Sequence, residues 1–370
     1  MAEPRETVVV GGGAMGSATA WHLARSGRQV TLIERFGARH TMGASHGRSR
    51  NFNITYVEPA YQEMLREAAV LWRELEDESG ASLLDLVGVV NHGAGIAPDL
   101  ADQLSTLRVR ASLLTPDEAQ ERWAGIRFDT RVVHCPDGGR IDAEEAVATL
   151  QSEAARHGGE VLLETRVESI DVRTDGKVEV ATQAEVFVAD TVVVTAGAWT
   201  ERLLGESVAL PQLIVTQEQP AHFAVADAGA LWPSYNHIPE LGNARYDYWY
   251  SQTYGTLTPG EGVKAGWHAV GPVTDPDARS FEPEPVQLEA LQRYAREWLP
   301  GVDAEAMTPI SCTYTSTADT AFVLDRVGPI VVGAGFSGHG FKFVPTVGRI
   351  LADLVEGTSR PAELFSLSDR

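Results

Sequence analysis

Thr7-Val8-Val9-Val10-Gly11-Gly12-Gly13-Ala14-Met15-Gly16, continued by Ser17 to Ser26 and closed by Gln29-Val30-Thr31-Leu32-Ile33-Glu34, decides the fold of this chain. The apolar, β-branched start, Thr7 to Val10, reads as a buried strand. Gly11 to Gly16 fits the pattern G-x-G-x-x-G. Ala18, Trp21, His22 and Ala24 then fall at helical spacing, and Gly27 stops that helix. A second strand, Gln29 to Ile33, ends on Glu34. Each part of this βαβ unit has a physical task in holding a dinucleotide. Gly11 permits the tight turn, Gly13 lets the backbone approach a pyrophosphate, and Gly16 brings helix and strand together. The helix N-terminus offers free N–H groups and a partial positive charge to that pyrophosphate. Glu34, eighteen positions past Gly16, is placed to accept hydrogen bonds from a ribose. An acid there disfavours a 2′-phosphate and hence NADP, leaving FAD and NAD open.

Outside this unit, 370 residues are too many for one ordinary core and imply two domains. Hydrophobic residues make up 44% and charged residues 22%, as in globular proteins. A formal charge of −21, from 51 acids against 30 bases, repels nucleic acid and anionic membrane. No apolar run reaches the ~18 residues a membrane span requires, and the N-terminus lacks a signal-peptide layout. Cys135 and Cys312, the only two cysteines, do not form a disulfide framework. A cytoplasmic enzyme without a metal centre, a nucleic acid partner or a membrane partner is expected.

After Glu34 the segment Arg35 to Tyr56 has no apolar period and is basic, with Arg39, His40, His46, Arg48 and Arg50. It reads as a loop, and its position after the dinucleotide unit predicts ligand contact for at least one of Arg48 and Arg50. An amphipathic helix follows over Tyr61 to Ser79, then a strand over Leu84 to Asn91 and a second long helix over Ala143 to His157. Val161 to Leu163, Val167 to Arg173, a hairpin over Lys177 to Val188 and a buried strand Thr191 to Thr195 come next. From Leu210 short β-like runs and aromatic residues dominate: Leu213 to Thr216, Ala221 to Val225, Tyr246 to Tyr250, Thr253 to Leu257 and Val263 to Trp267. A helix over Val286 to Trp298, a buried strand Ile330 to Val332, a glycine-rich turn over 333–340 and a helix from Pro345 to Leu354 complete the chain. The strands starting at 7, 29, 161, 191 and 330 are expected to share one parallel sheet. The fold class is therefore α/β plus antiparallel β, a Rossmann-like FAD-binding domain with an interleaved mixed α+β substrate domain. Residues 1–85, 140–210 and 310–370 are assigned to the first, and 86–139 and 211–309 to the second. FAD is the cofactor such an arrangement suits, because it lies extended and needs a distant site for its ring. The turn at 333–340 ahead of a helix N-terminus would stabilise negative charge on a reduced ring.

Six motifs occur in order: Gly-Gly-Gly-Ala-Met-Gly at 11–16, Ser45-His46-Gly47, Ala196-Gly197-Ala198-Trp199, Lys264-Ala265-Gly266-Trp267-His268, Ser311-Cys312-Thr313-Tyr314-Thr315, and Gly335-Phe336-Ser337-Gly338-His339-Gly340-Phe341-Lys342-Phe343. With them the chain resembles the monomeric sarcosine oxidase and N-methyl amino acid oxidase family from about residue 7 to 356. The resemblance implies FAD bound by Gly11, Gly13, Ala14, Met15, Gly16, Glu34, Arg35, Ser45, His46, Arg50 and Val167. Ala196, Gly197, Trp199, Gly335, Gly338, His339, Gly340 and Lys342 complete that set. It further implies a thioether between Cys312 and the flavin 8α-methyl, whereas Cys135 matches no such position. Lys264 matches the lysine that promotes reaction with oxygen: a buried cation stabilises superoxide as it forms. His268, four residues on and so on the same strand face, would join the active-site wall. Lys342 matches the lysine that pairs with the substrate carboxylate.

The chain departs from the family at one position. The second carboxylate-binding group is an arginine three positions after that of Arg50, and here it is Asn53. Loss of a bidentate arginine removes roughly 1.5–3 kcal/mol of charge-assisted bonding. Two substrate classes are thus implied for a peroxide-forming, monomeric oxidase of secondary amines: small N-methyl amino acids, or the fructosyl amino acids taken by oxidases of the same fold. Asn53 and the aromatic run Tyr246 to Tyr254 would suit the bulkier, hydroxylated substituent of the second class. A dehydrogenase passing electrons to a carrier is the competing chemistry, and a neutral residue at position 264 would have favoured it.

Overall fold

The computed structural model describes residues 4–205, 207–240 and 242–367. Strand Pro4–Val10 lies at the centre of one large sheet, flanked by Val30–Ile33 and Val186–Val194. Glu160–Leu162 lies outside Val30–Ile33, and Ile330–Ala334 pairs with the C-terminal half of Val186–Val194; all four pairings are parallel. The five expected strands therefore share one sheet. Val8 and Val9 are fully buried, as a strand covered by helices on both faces requires. Helix Ala14–Arg25 packs against helices Ala143–Arg156 and Val344–Glu356. Lys177 to Thr195 is not a hairpin plus a separate strand. Val178–Thr182 turns into one nine-residue strand, Val186–Val194, whose first half pairs with the hairpin and whose second half joins the parallel core.

A second large sheet runs in the order Val302–Pro309, Ala221–Val225, Gly262–Trp267, Thr253–Thr258, Ser234–His237, Val89–His92, Val132–Cys135, Ser112–Leu114. It is antiparallel except where Ser234–His237 runs parallel to Val89–His92. Two sequence expectations fail here. Leu84 to Asn91 is two strands: Leu84–Asp85 joins a small sheet with Gly139–Ile141 and Arg50–Phe52, and only Val89–His92 enters the large one. Tyr246 to Tyr250 is not a strand but a 3-10 turn, Ala244–Tyr246, and irregular chain after it. Its aromatic residues are not a sheet face. Tyr246 and Trp249 pack with Tyr294 and Trp298 of helix Pro285–Trp298 behind the sheet.

Candidate active site

A cavity of about 1040 Å³ lies where the two large sheets meet. That is at the upper end of the roughly 300–1,000 Å³ of small-molecule sites. At one end it is bordered by Gly11, Gly13, Ala14, Met15, Glu34 and Arg35, and further along by Ser45, His46, Arg50 and Asn53. Val167, Ala196, Gly197 and Trp199 border it from the long strand side, and Gly335, Gly338, His339, Gly340 and Lys342 from the late turn. Lys264, His268 and Cys312 complete the wall. Gly16 alone of the expected residues stands behind it. A Cβ there would lie 2.0 Å from the carbonyl oxygen of Gly11 and 2.5 Å from Thr195 Oγ1, so its task is to let helix and strand touch.

The dinucleotide end is set before any ligand arrives. Glu34 accepts from the Gly12 amide at 2.7 Å and from the Phe36 amide at 2.8 Å, which fixes its carboxylate at the strand end. Gly13 caps helix Ala14–Arg25 without a side chain, and Ser45 Oγ accepts from the Ala14 amide at 3.0 Å. Arg35 pairs with Asp277 at 2.7 Å and lies over Trp199. Of the two loop arginines, Arg50 turns inward, donating to the carbonyls of Ser49, Ala44 and His46 at 2.8, 2.8 and 2.6 Å. Arg48 instead donates to Pro259 O at 3.1 Å and stands 3.7 Å from Asp142.

The floor of the cavity is one face of the second sheet. Register places Lys264 opposite Thr256, and Asn91, Asn236 and Tyr254 in one row. Alternation sends Val263, Ala265 and Trp267 to the core behind. Lys264 is 5% exposed and donates to Ser49 O. Burial, reinforced by the nearby Arg50 charge, lowers its pKa to about 7. His268 lies beyond the end of the same strand, near Tyr314 Oη at 3.4 Å, and burial lowers its pKa to about 4.

Lys342 is 6% exposed and follows the glycine turn. The turn itself needs glycine at 338, where φ is +74° and a Cβ would lie 2.0 Å from the Tyr314 ring. Lys342 Nζ donates to His339 O at 2.6 Å and to Tyr56 Oη at 3.0 Å. His339 Nε2 meets the Thr320 carbonyl at 3.0 Å, and Nδ1 meets Tyr56 Oη at 3.1 Å. A carbonyl only accepts, so the ring proton sits on Nε2 and Nδ1 accepts the Tyr56 hydroxyl. Tyr56 thus takes a proton contact from Lys342 and passes its own to His339. One of the three ammonium donors is left for a ligand. Burial lowers the pKa of Lys342 to about 7 and, with the Lys342 charge, that of His339 to about 3. Among the described residues no acidic side chain pairs with Lys264 or Lys342.

Residues 6–354 match the family described as FAD dependent oxidoreductase. The chain belongs to that family. The monomeric sarcosine oxidase of Bacillus sp. (strain NS-129) is 30% identical over 98% of this chain and 96% of its own. The human peroxisomal sarcosine oxidase is 32% identical over 94% and 91% respectively. Among solved structures, the open form of NikD, an unusual amino acid oxidase essential for nikkomycin biosynthesis, superposes with a TM-score of 0.86. It is 27% identical and covers 98% of this chain and 96% of that one.

FAD-family membership fits the donor set present. The glycine turn at 11–13, the helix start without a side chain at Gly13 and the oriented Glu34 carboxylate would form a cradle for pyrophosphate and ribose. The late turn and the two lysines lie on the same cavity, and His46 Nε2 is buried there without a hydrogen-bond partner. Sequence reasoning missed Tyr56, Thr55, Asn91 and Asn236, which also line it. No motif marks them, because they reach the cavity through strand pairing and a loop. Cys135 is a core residue whose thiol burial pushes up to about 12. No helix among the described residues is long and apolar enough to cross a membrane.

Proposed function

We propose that this enzyme is an oxidase of N-methyl α-amino acids, acting as a monomer and releasing hydrogen peroxide. The observation that carries this reading is the pair of buried lysines on one cavity, each without a carboxylate partner among the described residues. Lys342 has a donor free for the substrate carboxylate, and Tyr56 with His339 O holds the ammonium in place. Lys264 supplies a second cation, anchored on Ser49 O, where charge develops on oxygen. Two cations in a desolvated cavity also disfavour an ammonium on the substrate, so the amine binds neutral with its lone pair available. Bound FAD would supply the redox chemistry, a two-electron oxidation of the carbon beside that nitrogen with oxygen as the final acceptor, leaving an imine that water would hydrolyse to amine and aldehyde. The fructosyl alternative loses one of its supports, since Tyr246 and Trp249 lie in the core and only Tyr254 of that run borders the cavity.

Sarcosine should bleach the flavin anaerobically and release peroxide in air. Dimethylamine, which lacks the carboxylate, should be at least about tenfold poorer in kcat/KM, the loss of one charge-assisted contact. Absence of bleaching by sarcosine and other N-methyl amino acids would end this reading.

The Cys312 thioether belongs to the same proposal. Cys312 is half-buried on the cavity wall in strand Cys312–Ser316, its Sγ 4.0 Å from Ala44 O. Arg279, 7% exposed and without an acidic partner among the described residues, donates to Met42 O at 2.8 Å and Ser311 Oγ at 2.9 Å. It thereby ties the loop before Ala44 to the strand carrying the thiol. Acid-precipitated protein is expected to stay yellow, and Cys312→Ser to release its flavin to the supernatant. A colourless wild-type precipitate refutes the bond.

A further inference from the structure

We propose that Asn53, Thr55, Asn91 and Asn236 form a neutral hydrogen-bonding compartment that selects substrates whose side chain carries an uncharged polar group, a carboxamide or a hydroxyl. The inference rests on the N-methyl amino acid reading above and narrows it to a substrate class.

Parallel pairing of Val89–His92 with Ser234–His237 sets Asn91 opposite Asn236 and His92 opposite His237. The histidines stack in the core behind the sheet, ring centroids 3.9 Å apart, so the two asparagines face the cavity together. Asn236 Nδ2 donates to Asn91 Oδ1 at 2.9 Å, and Thr55 Oγ1 is 3.3 Å from the same oxygen. Asn53 Oδ1 accepts from the Thr55 amide at 3.0 Å and from its hydroxyl at 2.6 Å. A backbone N–H can only donate, so the oxygen of Asn53 is committed inward and its amino group is turned away from Thr55. Asn91 is 3% exposed, yet its Nδ2 has no hydrogen-bond partner.

Asn53 and Asn91 therefore offer amide donors whose own acceptors are already occupied, and among the described residues no charged side chain is bonded to any of the four members. A charged substituent would be desolvated there with no counter-ion bonded to the cluster. An apolar one would leave the buried Asn91 donor unpaired, and sites built to hydrogen-bond a group reject analogues that lack it. A neutral amide or hydroxyl satisfies the donor without either penalty. The α-carboxylate has its own partner in Lys342, so the cluster is free to read the side chain.

Three isosteric substrates separate these cases: N-methylasparagine, N-methylleucine and N-methylaspartate, each compared by kcat/KM on the holoenzyme, with sarcosine alongside. The amide should exceed both others by about 10- to 100-fold. In Asn91→Leu the amide-to-leucine ratio should fall to near one. That ratio is taken within one protein, so a general loss of active enzyme cancels. Should Asn91→Leu fail to fold, Thr55→Val with the same ratio takes its place. A wild-type ratio below about threefold, or an unchanged ratio in the variant, overturns the compartment's role while leaving the oxidase reading intact. If sarcosine and all three analogues leave the flavin oxidised, the oxidase reading fails and this inference with it.

Discussion

Lys264→Met is expected to slow reoxidation of the reduced enzyme by oxygen about 10²- to 10³-fold, the scale on which removing one preorganised electrostatic partner acts. Anaerobic reduction by sarcosine should change by less than about tenfold, since Lys342 and the sheet floor remain. The reason is the setting of the ammonium. It is 5% exposed, fixed to Ser49 O, and unpaired with any described carboxylate, so its charge would be barely screened against superoxide formed beside it. The same burial brings its pKa to about 7. The cation is present below that value and lost above it, so the oxygen reaction should weaken as pH rises through it, and Lys264→Met should abolish the dependence. Stopped-flow reduction and reoxidation separate the half-reactions. Equal slowing of both, or a pH profile shared by wild type and variant, would remove Lys264 from the oxygen step.

The second large effect concerns acid stability. His92 and His237 are both fully buried and stack on each other, with Phe128 edge-on to the first and Trp249 and Trp298 edge-on to the second. Neither nitrogen of His92 has a hydrogen-bond partner, and His237 Nδ1 meets only Tyr294 Oη at 3.3 Å. Burial lowers the pKa of His92 to about 3, and burial, His92 and Arg245 hold that of His237 well below its usual value. The unfolded chain binds these protons near 6.5 and the folded chain does not. Stability is therefore whole above about pH 6.5 and falls as pH drops, by about 1.4 kcal/mol per unit for each histidine. At pH 5 the pair costs about 4 kcal/mol, a large share of the 5–15 kcal/mol typical of a domain. Urea titrations at pH 7.5 and 5 should show the loss. In His92→Phe/His237→Phe the loss between pH 7.5 and 5 should be smaller by about 4 kcal/mol. A slope equal to that of wild type would show that the pair is protonated in the folded state.

His46, His268 and His339 are also held neutral by burial on the cavity. Lys264 and Lys342, each lowered to about 7, change charge near neutral pH. Activity against pH accordingly reports on the lysines, while denaturation at low pH reports on the histidines.

How much of this was legible in the sequence varies with the range of the interaction. The strand, glycine turn, helix and Glu34 of residues 7–34 are local, and each element follows from its own residue types. The parallel core followed too, because Val8–Val10, Val192–Val194 and Ile330–Val332 are continuous apolar runs that only a doubly covered sheet accommodates. The aromatic residues from Tyr246 to Trp249 were misread because aromatic content does not say which side of a sheet a turn will cover. Helix Pro285–Trp298, forty residues later, decides that they belong to the core. Asn53 could be named from the sequence as a missing arginine. Its occupation by Thr55 at 2.6 Å could not.

By itself the sequence determined the dinucleotide unit, whose residue types stand at short, fixed spacings, and its resemblance to a known family pointed to the two lysines and the thiol. The tertiary structure alone decided what surrounds them. Tyr56 and His339 are 283 positions apart, and Asn91 and Asn236 are 145 apart. A hydrogen bond across such a separation depends on the register of strands and the path of a loop, which no local pattern of residues encodes.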